Sequence, residues 1–296
     1  MLSRFAARFV SLTWKASPFQ HYPWFFRDRA QEHAKLPHVA PWPAIANMTQ
    51  AGFRMQLATL RRHAATARIP FWIILNSMPY AGHADPTEAE LRFQAFTALA
   101  HGASGVAYFC YWDPAETAPG DWTLALGGSI IQAKARANGE IVHTRGPHFE
   151  QVRRINSVLR VFGELLLNAT STGVFTAFDS NSSVLPAESA IATVNGSGVG
   201  EGIQFLAGQF ALGQNRTALL LTNQDAMATL WASVTFRAPW NDWGRVMEVD
   251  PATGQQAALL DDSPSTPGLQ LALEAGGARL LVFPSIDRNT PRGAGQ

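Results

Sequence analysis

The chain changes character near residue 170, and this change constrains its fold more than any other feature. Before it, short apolar runs alternate with long segments of helical periodicity; after it, only short strand-like runs and turn residues occur. Alternating strands and helices predict parallel strands with right-handed crossovers, whereas short strands with polar connections predict an antiparallel sandwich. We expect an α/β domain over residues 1–170, an all-β sandwich over 171–285 and a flexible tail over 286–296.

Three strand–helix pairs are predicted in the first part. The strands are expected at about 9–14, 70–75 and 105–112, the helices at about 49–67, 88–101 and 147–167, and a long loop at 113–146. Thr87 stands three residues before Glu90, which is the spacing of a capping box at a helix start. No glycine-rich phosphate loop follows any of these strands, so the pattern disfavours a nucleotide-binding sheet.

Seven strands are predicted in the second part, joined by polar turns. They are expected at about 173–178, 190–194, 203–211, 217–222, 230–236, 245–249 and 279–283. No helical periodicity is found among them.

Composition narrows the classes of partner and cofactor. The 23 basic and 22 acidic residues leave a formal charge of +1, and no basic block occurs, so nucleic acid is not an expected partner. The single cysteine, Cys110, excludes an intrachain disulfide and a multi-cysteine metal site. No metal or cofactor motif is found, and the apolar runs are too short for a membrane helix, so we expect no cofactor, no metal and no membrane.

The sequence leaves the cellular compartment open. Residues 1–27 contain no acidic residue, but Arg4 and Arg8 interrupt the apolar stretch that a secretory signal needs. An excess of N-x-S/T sequons favours a secreted product weakly. These sequons begin at Asn47, Asn168, Asn181, Asn195 and Asn215.

Two runs, ALAHGASGV over residues 98–106 and YFCYW over residues 108–112, resemble barrel glycoside hydrolases of the β-galactosidase-like kind. In that family a similar helix end leads into the final barrel strand. His21-Tyr22-Pro23 is similar to a segment at the end of an earlier strand, although Gln20 stands where the family has Asp. The resemblance implies part of a TIM-type (β/α) barrel, of about three units, followed by a sandwich. It also implies a carbohydrate partner, namely a β-glycoside such as a galactoside.

Hydrolysis of a glycosidic bond usually needs two carboxyl groups, projecting from the carboxyl ends of the barrel strands. Asp113, at the predicted end of the third strand, is the candidate catalytic acid. The strand over 73–77, where the resemblance places the nucleophile, has no carboxylate at its end. The candidate sugar-binding residues are the other polar and aromatic residues at these strand ends. They are His21, Tyr22, Asn76, His83, Tyr111 and Trp112.

Three functions therefore remain open from the sequence. The first is an active O-glycosyl hydrolase, the second is a non-catalytic carbohydrate binder derived from such an enzyme, and the third is an interaction module built on the sandwich. Three strand–helix units are found where a barrel has eight, which predicts a fragment or a degenerate catalytic domain. Unpaired strand edges in such a fragment predict self-association or a partner chain that completes the barrel.

Overall fold

The computed structural model describes residues 50–79, 84–112, 128–178, 183–197 and 203–285. Within these ranges the fold is mixed, with mostly strands, three α-helices and sheets that do not close into a barrel. The helices are α1 (Gln50–Ala67), α2 (Glu88–Ala100) and α3 (Phe149–Leu166). No helix among the described residues is both long enough and apolar enough to cross a bilayer.

The first part contains a two-stranded parallel sheet. Strands β1 (Trp72–Asn76) and β2 (Gly105–Phe109) pair from Trp72 opposite Gly105 to Asn76 opposite Phe109. α2 joins them and begins with the predicted capping box, in which Glu90 and Thr87 exchange hydrogen bonds. β2 ends at Phe109 rather than at residue 112 as predicted, and the strand predicted at 9–14 lies outside the described residues.

The predicted loop over 113–146 was partly wrong, because it contains an antiparallel hairpin. Strands β3 (Ile131–Ala135) and β4 (Ile141–Arg145) pair on either side of a turn in which Gly139 has a φ of +81°. Asn138-Gly139 is a strong hairpin signal that the sequence prediction overlooked. The alanines and lysine of β3 disfavour a strand, so pairing with β4 decided the local structure.

Ten strands follow α3. They are β5 (Thr170–Phe178), β6 (Ser183–Val184), β7 (Ile191–Ser197), β8 (Ile203–Leu212), β9 (Arg216–Asn223), β10 (Leu230–Phe236), β11 (Met247–Val249), β12 (Gln256–Ala258), β13 (Leu269–Leu273) and β14 (Ala278–Phe283).

These strands pair antiparallel into two sheets. A six-stranded sheet has the order β12-β11-β14-β9-β8-β5, and a four-stranded sheet has the order β13-β10-β7-β6. One apolar core contains buried side chains from both sheets, including Phe205, Leu221, Leu271 and Phe283. The two sheets therefore face each other across this core.

Three of the ten strands, β6, β12 and β13, were missed by the sequence prediction. β13 is the important omission, because it pairs with β10 along five residues of the four-stranded sheet. Its sequence, LQLAL, contains only residues that form helices more readily than strands. Cross-strand pairing therefore overrides the local preference here.

The other face of the six-stranded sheet packs against α2 and α3. A second apolar core joins Leu99 and Phe162 of the helices to Leu206 and Leu220 of the sheet. The approach is close, since a Cβ added to Gly208 in β8 would lie 2.1 Å from the carbonyl oxygen of Ala100. Both faces of the six-stranded sheet are thus covered within one chain.

Candidate functional site

Asn76, a predicted sugar ligand, ends β1 and is buried. Its amide nitrogen Nδ2 donates to the carbonyl of Ala84 at 3.3 Å, and its Oδ1 accepts from the backbone nitrogen of Met78 at 3.4 Å. The side chain of Gln94 bonds both the backbone nitrogen and the backbone oxygen of Asn76. In the described structure, Asn76 therefore anchors the segment that leaves β1.

Tyr111 and Trp112, two further predicted ligands, follow β2 and are about half exposed, at 53% and 49%. The backbone oxygen of Tyr111 accepts from the nitrogen of Ile131 at 2.8 Å, and Trp112 forms a parallel bridge with Ile131. The hairpin therefore fixes the backbone of this segment beyond the end of β2.

The hairpin also supplies a residue that the sequence prediction missed. His143 of β4 lies against Trp112, with ring centroids 4.6 Å apart and an interplanar angle of 76°. This edge-on contact fixes the indole while leaving much of its surface exposed. We call Tyr111, Trp112 and His143 the aromatic rim. The Asn-Gly turn was the available signal for the hairpin, but no sequence signal places His143 beside Trp112.

Tyr108, within β2, supports the sheet from its helix-covered side. Its hydroxyl donates to Oδ1 of Asn156 on α3 at 2.8 Å. Burial raises the pKa of the Tyr108 hydroxyl, so it stays protonated and acts as a donor at neutral pH.

One carboxylate, Asp85, occurs in the described stretches that follow β1 and β2, namely 77–79, 84–87 and 110–112. Its Oδ1 lies 2.8 Å from Nε2 of His148, and Nδ1 of His148 lies 2.6 Å from Oε1 of Gln151. Glu90, close by in sequence, is buried and serves the capping box. These described stretches therefore do not present the pair of carboxylates that hydrolysis requires.

Three of the seven predicted site residues can be placed. Asn76 ends β1, and Tyr111 and Trp112 follow β2; because the strands are parallel and Asn76 is opposite Phe109, all three lie toward the same end of the sheet. The other four predictions, His21, Tyr22, His83 and Asp113, lie outside the described residues.

A cavity of about 310 Å³ lies elsewhere, toward the opposite end of the parallel sheet. Gly105 and Val106 at the start of β2, Leu159 and Gly163 of α3, and Phe210 of β8 line part of it. None of the three predicted site residues that the structure describes lines this cavity. The described residues also contain no group of three side chains placed to hold a metal ion.

No protein-family model and no curated protein matches the chain. Among solved structures, it aligns with the catalytic module of SpuA, a multi-modular glycogen-degrading pneumococcal virulence factor, in complex with an inhibitor. Identity is 8%, the alignment covers 66% of this chain and 31% of that one, and the TM-score is 0.32.

The chain also aligns with two structures of a GH27 β-L-arabinopyranosidase from Geobacillus stearothermophilus. A variant in complex with arabinose gives 12% identity over 80% of this chain and 63% of that one, with a TM-score of 0.25. The wild type gives 10% identity over 82% and 63%, with a TM-score of 0.24. The chain thus spans less than two thirds of each of these three structures. Superpositions with TM-scores below 0.5 carry no argument on fold or function, so the function is inferred from this chain's own residues.

Proposed function

We propose that this chain is a glycoside-hydrolase-like protein that binds a carbohydrate at the aromatic rim. The observation that carries the proposal is the half-exposed indole of Trp112, held edge-on by His143 at the carboxyl-terminal end of a parallel sheet. Ligand sites of α/β barrels lie at this end of their strands. The proposal includes a partial barrel over residues 1–170 and an antiparallel sandwich over 171–285.

The chemistry of the rim suits a pyranose. One face of such a ring carries only C–H bonds, which pack on an aromatic plane, while its hydroxyls need hydrogen-bond partners nearby. The Tyr111 hydroxyl and the His143 ring supply such partners within the rim. We further propose that His21, Tyr22, His83 and Asp113 join this site and that the sugar is a β-glycoside such as a galactoside.

Binding is better supported than hydrolysis. In the described stretches after β1 and β2, the single carboxylate, Asp85, lies against His148. A retaining enzyme needs a second carboxyl group about 5–5.5 Å away, and an inverting enzyme needs one at about 6.5–9.5 Å. We therefore propose a non-catalytic carbohydrate binder first. An active hydrolase, in which Asp113 acts as the catalytic acid, is the second candidate.

The binding proposal is tested by titrating the protein with methyl β-galactoside and a panel of other methyl glycosides in a calorimeter. We expect Trp112→Ala to weaken binding about ten-fold, because it removes the stacking surface. Trp72→Ala is the matched control, since Trp72 is similarly exposed, at 52%, and begins β1 at the other end of the sheet. Equal loss of binding in the two variants, or no binding by the wild type, would disprove the proposal.

The hydrolysis candidate is tested with a panel of nitrophenyl glycosides. Turnover by the wild type that is lost in Asp113→Asn would establish catalysis and the role of Asp113. Absence of turnover by a protein that still binds methyl glycosides would leave the chain a carbohydrate binder.

A partner that completes the barrel is also proposed, because the described residues cover one face of the β1–β2 sheet more fully than the other. Ile73 and Leu75 are buried beneath the helices, whereas Trp72 and Ala107 are exposed. Size-exclusion chromatography with light scattering tests this proposal. A dimer or a larger assembly would support self-association, and a monomer at all concentrations would exclude it.

A further inference from the structure

The outer face of the four-stranded sheet carries another exposed tryptophan, in addition to Trp72 and Trp112. Along β10, Leu230, Ala232 and Val234 are buried, while the intervening Trp231 and Ser233 point away from the core. The residues opposite them across both neighbouring strands are uncharged as well. They include Ala272 and Gln270 on β13 and Asn195 on β7.

Trp231 is 44% exposed because its neighbour across the sheet is small. Its register partner on β13 is Ala272, whose methyl group cannot cover an indole ring. The next outward position along β10 is Ser233, and Asn195 lies directly opposite Ser233 on β7. The hydroxyl of Ser233 and the amide of Asn195 form no hydrogen bond with another side chain in the described part of the chain.

The spacing of these groups fits a sugar ring. Residues two apart on one strand are separated by about 7 Å, so Ser233 lies about that far from Trp231 along β10, and Asn195 lies beside Ser233 on β7. This separation is roughly the width of a pyranose. The aromatic plane can accept the C–H face of the sugar, and the polar groups can bond its hydroxyls.

The outward residues are uncharged, and the neighbouring Asp261 and Asp262, which accept from the backbone nitrogens of Gln270 and Ala272, are acidic. This charge pattern selects the ligand class. A nucleic acid or an anionic glycan needs basic side chains, which this group does not supply. A stable protein interface needs a larger buried area with several aromatic or arginine anchors, whereas this group presents one tryptophan. We infer that this face, defined by Trp231, Ser233 and Asn195, binds a neutral polysaccharide.

This surface is separate from the aromatic rim. The four-stranded sheet packs on one face of the six-stranded sheet. The helices that support β1 and β2 pack on the opposite face of the six-stranded sheet. A polymer held at Trp231 would raise the local concentration of sugar near the rim without occupying it.

Native affinity electrophoresis tests the inference, with soluble β-1,4-galactan in one gel series and soluble β-glucan in another. The protein is made in bacteria, because Asn195 begins an N-x-S sequon and a glycan there would cover the face. We expect the wild type to be retarded by at least one polymer and Trp231→Ala to bind about ten-fold more weakly. Trp231→Phe should restore most of the retardation, and Asn195→Ala should weaken it by a smaller factor.

Trp112→Ala separates this inference from the proposed function, because it should lose binding of methyl glycosides yet keep the retardation by polymer. Unchanged retardation of Trp231→Ala, or no retardation of the wild type by either polymer, would overturn the inference and leave the rim untouched. A change of elution volume on size-exclusion chromatography in Trp231→Ala alone would also overturn it, since the face would then join copies of the chain.

Discussion

The six-stranded sheet and the β1–β2 sheet differ in how completely the chain covers them. The first is buried on both faces, by the four-stranded sheet on one side and by α2 and α3 on the other. In the described part of the chain, the helices cover the face of the second sheet that carries Ile73 and Leu75, whereas Trp72 and Ala107 are exposed on its other face. Apolar strands of similar composition thus have different surroundings in one molecule.

This difference in coverage indicates that the six-stranded sheet mainly stabilises the fold, whereas the β1–β2 sheet is available for function. Side chains buried between two packed layers stabilise the folded state, because about 25 cal/mol is gained for each Å² of apolar surface removed from water. Residues at the end of the half-covered sheet remain available to a ligand or to another chain. The proposed carbohydrate site accordingly lies at the sheet that the described residues leave half covered.

The largest effect is expected in the core between the two antiparallel sheets. Phe283 is fully buried, and its ring lies 5.0 Å from that of Phe236 and 5.1 Å from that of Trp240. We expect Phe283→Ala to lower the free energy of unfolding by about 3–5 kcal/mol, because it leaves a cavity among rigid neighbours. Urea denaturation followed by circular dichroism measures this loss. A loss below about 1 kcal/mol would mean that this core is loosely packed.

Adjacent isoleucines compare the two faces of β1 directly. Ile73 is buried against the helices, whereas Ile74, on the opposite face of β1, is only partly buried. We expect Ile73→Ala to cost about 2–5 kcal/mol and Ile74→Ala about 1–2 kcal/mol, measured by the same denaturation. Equal costs would show that another part of the molecule, or another copy, covers the second face in solution.

The contact between α2 and the six-stranded sheet, called the junction below, should lose stability at acidic pH because of His101, the C-cap residue of α2. Burial is the main cause that lowers the pKa of His101 to about 4; the hydrogen bond from Nδ1 to the Thr97 carbonyl opposes this shift, and the positive charges of Arg61 and Arg54 add to it. Between pH 6.5 and 4 the unfolded chain therefore binds a proton that the folded chain does not. Stability should be highest above pH 6.5 and fall by about 3 kcal/mol toward pH 4 through this group.

The measurement compares urea denaturation of the wild type and His101→Gln at several pH values between 4 and 7. The variant should show a flatter dependence, because the other histidines are common to both proteins. Parallel curves would show that His101 does not control the acid response of the junction.

The smallest effects are expected at two glycines, Gly208, which faces α2, and Gly163, which lies within α3. A Cβ at Gly208 would lie 2.1 Å from the Ala100 carbonyl oxygen, so Gly208→Ala should push α2 from the sheet and cost about 1–3 kcal/mol. Gly163 in α3 has no atom within 4 Å of the equivalent position, so Gly163→Ala should stabilise the protein by about 0.5–1 kcal/mol. Melting temperatures of the two variants check both signs, and a stable Gly208→Ala would argue against close packing of helix and sheet.

Local sequence signals predicted much of the secondary structure. The capping box at Thr87 and Glu90 marked the start of α2, and β10 occupies the predicted residues 230–236. These predictions succeeded because a cap and an alternating strand depend on residues a few positions apart. β13 escaped prediction because its pairing with β10 outweighs the helical preference of its own residues. The hairpin had a local signal, Asn138-Gly139, which the prediction overlooked.

The candidate site was predicted in part by the same reasoning. The sequence by itself determined that Tyr111 and Trp112 lie at or near the end of one apolar strand, and that Asn76 lies at the end of the strand before it. Only the tertiary structure decided that His143 meets Trp112 and that the amide of Asn76 bonds its own chain. These contacts depend on distances between elements far apart in sequence, and such distances follow from packing rather than from any local pattern.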